Sequence, residues 1–141
     1  MITQFIAPYL DEQGVADFTP SGDLFVGLMP DSPDNCITLY GGSAPTEGYQ
    51  QAYGSAWMGI KVMVRGNYVW ADDKIWEIDD QITGLSEKHF DKVYLKVVQR
   101  QTAPEHIDLD DKGRSIFTSY YVALVNTFDN THRFPITEKQ P

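Results

Sequence analysis

The carboxylates of the segment PDSPDN, residues 30–35, are the first candidates for chemistry in this sequence. Asp31 and Asp34 stand three positions apart, a spacing at which two carboxylates could share a cation. A calcium loop needs alternating Asp or Asn ligands, a central glycine and a distant bidentate glutamate, and the segment lacks that pattern. Pro30 and Pro33 remove backbone donors, while Asp, Ser and Asn side chains bond to nearby amides. The segment therefore predicts a hairpin turn between two strands and no metal site.

A second group of carboxylates lies between residues 72 and 80. Asp72 and Asp79 are seven residues apart, as are Asp73 and Asp80, so each pair falls on one face of a helix. Like charges at helical spacing repel one another unless a cation joins them. The simplest interpretation is a solvated acidic face.

No constellation of catalytic residues is present in the sequence. His89, His106 and His132 are isolated, and none accompanies a nucleophile in a known motif. No glycine-rich phosphate loop follows a strand, and the single cysteine, Cys36, has no partners for zinc. We expect Cys36 to be buried in a strand. The residues indicate neither an enzyme nor a site for a cofactor or metal.

The composition of the chain excludes further classes of protein. The chain has 141 residues and a formal charge of −9, from 20 acidic and 11 basic residues. Specific binding to a phosphate backbone requires clustered Lys and Arg, and the basic residues here are scattered. The N-terminus lacks the pattern of a signal peptide, and no apolar run reaches the about 20 residues of a membrane span. We expect a protein made in the cytoplasm, with no membrane and no specific nucleic-acid partner.

Periodicity places these residues on a series of helices and strands. Apolar residues at helical spacing predict helices over residues 2–14 and 67–84, with Asn67 as N-cap and Gly84 as C-terminal stop. Strands are predicted at residues 24–29, 36–40, 57–65, 93–99, 107–109 and 115–126. The order predicts an α+β fold: a largely antiparallel sheet with the N-terminal helix and one long helix packed on one side. We expect a single domain over residues 1–141, with a core at 2–126 and a polar tail at 127–141.

The segment 41–55 is predicted to be a long loop, since it holds four glycines and Pro45. Loops of this length in small domains are usually functional. Aromatic residues in and beside it, Tyr49, Tyr53 and Trp57, are candidates for a protein interface. A small-ligand-binding domain with this loop as a lid stays open as an alternative.

Four stretches in this order resemble the small minor capsid or tail-terminator proteins of siphophages that infect Gram-positive bacteria. The first is the N-terminal helix. The second is LFVGLMPDSPDNCITLYGGSAP, a strand, a Pro-Asp turn and a strand before a glycine-rich loop. The third is GIKVMVRGNYVWADDKIWEIDDQITGL, in which a strand ends in VRG and leads into a long helix, and the fourth is the closing strand GRSIFTSYYVALVN. The resemblance covers about residues 2–126 and does not extend to the C-terminal segment.

The resemblance implies a structural protein of the virion at the head–tail interface. Proteins of this family form a homo-oligomeric ring, typically a hexamer, that ends growth of the tail tube and joins the head. The implied partners are further copies of the chain, the tail tube protein and the head-completion or connector protein. DNA would pass through the lumen, and Asp72, Asp73, Asp79 and Asp80 are hypothesised to face it and repel the DNA. A head-completion or neck protein of the connector is the alternative within the virion.

Overall fold

The computed structural model describes residues 2–42 and 55–127. Within these ranges, two helices pack against one six-stranded sheet with strand order β1-β2-β3-β6-β5-β4. The elements are α1 (Thr3–Glu12), β1 (Leu24–Val26), β2 (Cys36–Gly42), β3 (Ser55–Gly66), α2 (Tyr68–Thr83), β4 (Ser86–Phe90), β5 (Val93–Leu109) and β6 (Ser115–Thr127). All neighbouring strands except β1 and β2 are antiparallel. The predicted α+β class is confirmed.

Both helices bury their apolar stripes against the same face of the sheet. From the helices come Ile6 and Leu10 of α1 and Ile75 of α2, and from the sheet come alternate residues of each strand, such as Val62 and Tyr121. Each of these side chains is fully buried. Burial of apolar area at about 25 cal/mol per Å² makes this layer the main source of stability.

The long helix α2 begins and ends where its sequence predicts. The Asn67 side chain accepts a hydrogen bond from the Val69 N–H at 3.1 Å, which satisfies one of the free donors at the helix start. Gly84 occupies the C-cap position. The apolar side chains of Ala71, Ile75, Ile78 and Ile82 are buried on one side of the helix, but Tyr68 in its first turn is 53% exposed.

The connection between β1 and β2 is not the hairpin that the sequence predicts. The two strands are parallel, with Leu24 opposite Ile37 and Val26 opposite Leu39, and β1 stops at Val26 instead of continuing to Met29. The chain must therefore return to the start of β2 within residues 27–35. The prediction of a hairpin was wrong because alternation reveals a strand but not the direction of its partner.

The other edge of the sheet contains a strand that the sequence pattern does not reveal. Strand β4 has no buried residue, so it lacks the alternation that marks a half-buried strand. It pairs with only the first part of β5, from Val93 to Val97. The segments predicted at 93–99 and 107–109 belong to one strand, β5, which contains several β-bulges.

Two predicted regions fall mainly outside the described residues. In the predicted loop, Gly41 and Gly42 belong to β2 and Ser55 to β3, while 43–54 lie outside. Thr127 is the last residue of β6, and 128–141 lie outside. The single domain and the polar tail stay predictions.

Candidate functional site

The Pro-Asp turn, residues 30–35, is held by a buried arginine from the end of β3. Arg65 is 5% exposed. Its Nη2 donates to the carbonyl oxygens of Pro33 at 2.7 Å and Asp31 at 3.2 Å, and its Nε donates to the carbonyl oxygen of Asp34 at 3.3 Å. One guanidinium thus satisfies three backbone acceptors of the turn, which a planar fork of donors can do.

A second arginine, Arg114, binds the same turn from the start of the β6 region. Its Nη1 donates to the Asp31 carbonyl at 2.7 Å and to Asp34 Oδ1 at 3.0 Å, and its Nη2 donates to Asp31 Oδ1 at 3.1 Å. Its Nε donates to Asp110 Oδ2 at 2.7 Å. The ammonium of Lys112 also bonds to Asp31. The carboxylates that suggested a cation site are therefore already bound to side-chain cations.

These contacts shift the acidity of two carboxyls. Hydrogen bonds from Lys112 and Arg114 hold the pKa of Asp31 below its usual range. For Asp110, burial raises the pKa, but hydrogen bonds from the backbone and guanidinium of Arg114 outweigh it and leave the pKa lowered. Among the described residues, no group of three or more His, Cys, Asp or Glu side chains could hold a metal ion.

The turn is also joined to the start of α2. Asn35 Oδ1 accepts a hydrogen bond from the Asn67 backbone N–H at 3.1 Å. A Cβ placed on Gly66 would lie 2.3 Å from Asn35 Oδ1, so only glycine allows this approach. The two stretches that resemble known proteins most specifically, the Pro-Asp turn and the VRG–helix junction, are thus parts of one structure. We call this structure, made of residues 30–35, Arg65, Gly66 and Arg114, the clamped turn.

The acidic residues of α2 do not share one environment. Asp73 and Asp80 are exposed and Asp72 is half-buried. Asp79 is buried and receives a hydrogen bond from the Tyr121 hydroxyl at 2.6 Å. The prediction of a solvated acidic face is therefore wrong for Asp79.

Asp79 forms a bidentate ion pair that connects α2 to β5. Arg100 Nε donates to Asp79 Oδ1 at 3.0 Å, and Nη2 bonds to Oδ2. Burial, and then the hydrogen bond to Asp79, raises the pKa of Tyr121, while the same carboxylate raises the pKa of Arg100. The Arg100 guanidinium also lies 5.8 Å from the centroid of the Trp76 ring. This network connects α2 to β5 and β6.

Of the three aromatic residues predicted at an interface, the structure describes one. Trp57 is half-buried and lies beside Leu124 in the register of β3 and β6. Its neighbours Ala56 and Met58 alternate with it, and Met58 packs against the core under the helices. Trp57 therefore points to the face of the sheet that the helices leave open. Tyr49 and Tyr53 lie outside the described residues.

An apolar groove runs beside β1, with a volume of about 480 Å³. Its lining includes Phe18, Pro20, Leu24, Leu28 and Pro30. These side chains supply no convergent polar groups of the kind that orient a small ligand. Most of the proposed lid, residues 41–55, lies outside the described part of the chain, which omits 43–54.

Comparison with known protein families matches residues 9–127 to the family described as bacteriophage tail terminator protein. The chain belongs to this tail terminator family. The matched range contains the clamped turn, both edges of the sheet and all of α2. Individually curated proteins give no match to the chain.

Membership of the family makes the protein a structural component of the phage particle. None of the helices in residues 2–42 and 55–127 is long and apolar enough to cross a membrane. A tail terminator acts in association with other components of the phage tail and head.

Proposed function

We propose that this tail terminator forms a ring of six copies at the head-proximal end of the completed tail tube. The ring stops the addition of tube subunits and presents the surface to which the head-completion or connector protein binds. The observation that carries this proposal is the match to the tail terminator family over residues 9–127. The resemblance to proteins of siphophages of Gram-positive bacteria supports the same role and suggests the host class.

The fold offers surfaces that suit a ring. A closed ring uses two different patches of each subunit, because every contact is heterologous. The open face of the sheet carries half-buried apolar residues, Trp57, Met63 and Leu124, and partly buried aromatic and apolar side chains are enriched at protein interfaces. We therefore keep Trp57 as a subunit contact, and Tyr49 and Tyr53 as candidates beside it in sequence.

The exposed acids of α2 are proposed to line the lumen. Asp73 and Asp80 are exposed and Asp72 is half-buried, so these three can present negative charge to passing DNA. Asp79 is excluded because its carboxylate is buried in the ion pair with Arg100. Reversal of the three to Lys should slow genome ejection, because a basic lumen would bind the phosphate backbone. Unchanged ejection kinetics and infectivity would contradict this part of the proposal.

Immunogold labelling of the separated assembly intermediates tests the position of the protein. Tails should be isolated from a phage that lacks heads, and filled heads from a phage that lacks tails. A terminator predicts gold at one end of the headless tails and none on the tailless heads. Label on the heads alone would instead identify a neck protein.

A further inference from the structure

The sheet has two open edges, and they differ in both shape and charge. Within residues 2–42 and 55–127, strand β1 bonds to β2 on one side only, and β4 bonds to β5 on one side only. Exposed edges present unpaired backbone groups that can pair with another chain. The two edges are therefore candidate surfaces for a neighbouring subunit.

The β1 edge is acidic. The first sixty residues contain no Lys, Arg or His. From another segment, the Lys74 ammonium reaches this region and donates to the Val15 carbonyl at 2.8 Å, which leaves one base near four carboxylates. Asp17 and Asp23 flank β1, and the Asp17 carbonyl accepts the Leu24 N–H at 3.0 Å. Asp11 and Glu12 end α1, which packs against β1. We call Asp11, Glu12, Asp17 and Asp23 the acidic edge; the apolar groove opens beside it.

The other edge carries a surplus of lysine. Residues 86–97, which form the β4–β5 hairpin, hold three lysines, Lys88, Lys92 and Lys96, against two acids, Glu87 and Asp91. This surplus stands out in a chain with a formal charge of −9. We call Lys88, Lys92 and Lys96 the lysine edge.

The β4–β5 hairpin and the groove beside the acidic edge also expose apolar side chains. Val97 is 38% exposed, and the groove beside the acidic edge exposes Phe18 at 39% and Leu28 at 73%. Lys88 and Lys96 are exposed, and the Lys88 ammonium lies 5.3 Å from the centroid of the Tyr9 ring. Val97 pairs with Leu124 on the open face of the sheet, whereas Lys88 pairs with the buried Leu95 on the helix side. The positive charge of Lys88 and the apolar side chain of Val97 therefore lie on opposite faces of the hairpin.

We propose that the lysine edge of one copy docks on the acidic edge and groove of the next copy. The occupant of the β1 groove is then a second copy of this chain, and the charges of the two surfaces are complementary. Because the two surfaces are different, the contact is heterologous and can close into a ring. This inference rests on the proposed function, since it names the surfaces that build the proposed ring.

A simpler role for the lysines makes the opposite prediction. Proteins place lysine on edge strands to prevent edge-to-edge aggregation. If protection is the only role, removal of the positive charge should leave the ring intact or favour further association. If the lysines select the acidic edge, reversal of their charge should break the ring.

The experiment uses two charge-reversed forms of the full chain. The first carries Lys88→Glu and Lys96→Glu. The second carries Glu12→Lys and Asp17→Lys, which spare Asp11 and Asp23 because their carboxylates accept backbone N–H groups of the loop. Asp111→Lys, at an exposed acid in the turn between β5 and β6, is the control for a charge reversal away from both edges and from the open face of the sheet. Circular dichroism verifies that every variant is folded.

Native mass spectrometry and negative-stain microscopy then measure ring formation at about 50 mM salt, where screening is weak. The wild type and the Asp111→Lys control should form rings. Each reversed form alone should associate at least about 10-fold more weakly, since like charges then meet across the contact. The chain with all four substitutions should recover the ring. An equimolar mixture of the two forms should give rings with alternating subunits, which close only for an even number.

Three results would overturn the inference. The first is ring formation by the Lys88→Glu and Lys96→Glu form that equals that of the wild type. The second is failure of both the combined variant and the mixture, with every chain folded. The third is a wild type that forms no ring either in solution or on isolated tails. Tail length is scored separately, so terminating activity with unaffected lysine variants would overturn the contact and leave the proposed function standing.

Discussion

Arg65 is predicted to be the residue that most strongly stabilises the clamped turn, and Arg65→Ala tests this. The substitution removes the donor for three carbonyl oxygens and leaves space under the turn. A hydrogen bond to a charged group contributes about 1.5–3 kcal/mol. Because Asp31, Pro33 and Asp34 are exposed, water can form hydrogen bonds with some of the carbonyl oxygens that Arg65 no longer contacts. We expect the free energy of unfolding to fall by about 2–4 kcal/mol in total.

Chemical denaturation and calorimetry measure this loss. For a domain of this size the loss corresponds to a fall in Tm of about 8–15 °C. Arg65→Lys should fall between the wild type and Arg65→Ala, since one ammonium keeps the charge but cannot reproduce the planar fork. Lys61→Ala on the same strand is the control, with an expected change within about 0.5 kcal/mol. A Tm for Arg65→Ala within about 2 °C of the wild type would refute the reasoning that this side chain holds the turn.

Three further predictions concern the junction, the buried ion pair and acid stability. Gly66→Ala should destabilise the fold by about 1–3 kcal/mol, because its Cβ would meet Asn35 Oδ1; a denaturation midpoint equal to that of the wild type would contradict the close approach. Asp79→Ala should lower the free energy of unfolding by about 3 kcal/mol, because it removes the partner of the buried Tyr121 hydroxyl and of Arg100. Asp80→Ala at the exposed neighbouring position should lower it by less than about 0.5 kcal/mol. Equal losses in the two would show that the buried pair has no special role. Stability should also fall as the pH drops below the ordinary Asp value of 3.8, because Asp31 has a lowered pKa when folded and the unfolded chain binds its proton first. Asp31→Asn should reduce that acid dependence in urea titrations from pH 5 to pH 3, and an unaltered slope would count against the ion pairs.

The sequence predicts the elements whose signals are local. Helix α2 is read correctly because the cap, the apolar spacing and the terminal glycine lie within the helix itself. Strand β3 is similarly clear, since Ile60, Val62 and Val64 alternate and all three are buried. In both elements, the apolar residues that recur at regular spacing in the sequence are the ones buried in the core.

The features that the sequence does not predict depend on distant partners. Asp79 resembles the other acids of α2, and its burial follows from Arg100 and Tyr121, which lie 21 and 42 residues further along the chain. The parallel pairing of β1 follows from a return of the chain that Arg65 and Arg114 hold in place. Strand β4 is polar and exposed, so no apolar period marks it. The local sequence does not distinguish a buried polar residue from an exposed one, because the partner that allows its burial is distant in the chain.

The candidate site was predicted in part. The Pro-Asp turn was identified as a structural element from its own residues, and the carboxylates there bind arginine and lysine side chains. The arginines that hold it were not predicted, since one belonged to an alternating strand and the other followed a hairpin turn. A signal was present, because Arg65 and Arg114 both lie within stretches that resemble known proteins, the VRG–helix stretch and the closing strand. The proposed contacts of Trp57, Tyr49 and Tyr53 stay predictions.

Tail length in phage particles that lack this gene tests the central claim most directly. Negative-stain microscopy should compare the length distribution of tails from the deletion phage, the wild type and the deletion phage complemented in trans. Termination predicts overlong, headless tubes with a broad length distribution in the deletion, and a return to one narrow length on complementation. Tails of normal length and narrow distribution in the deletion phage would contradict the account.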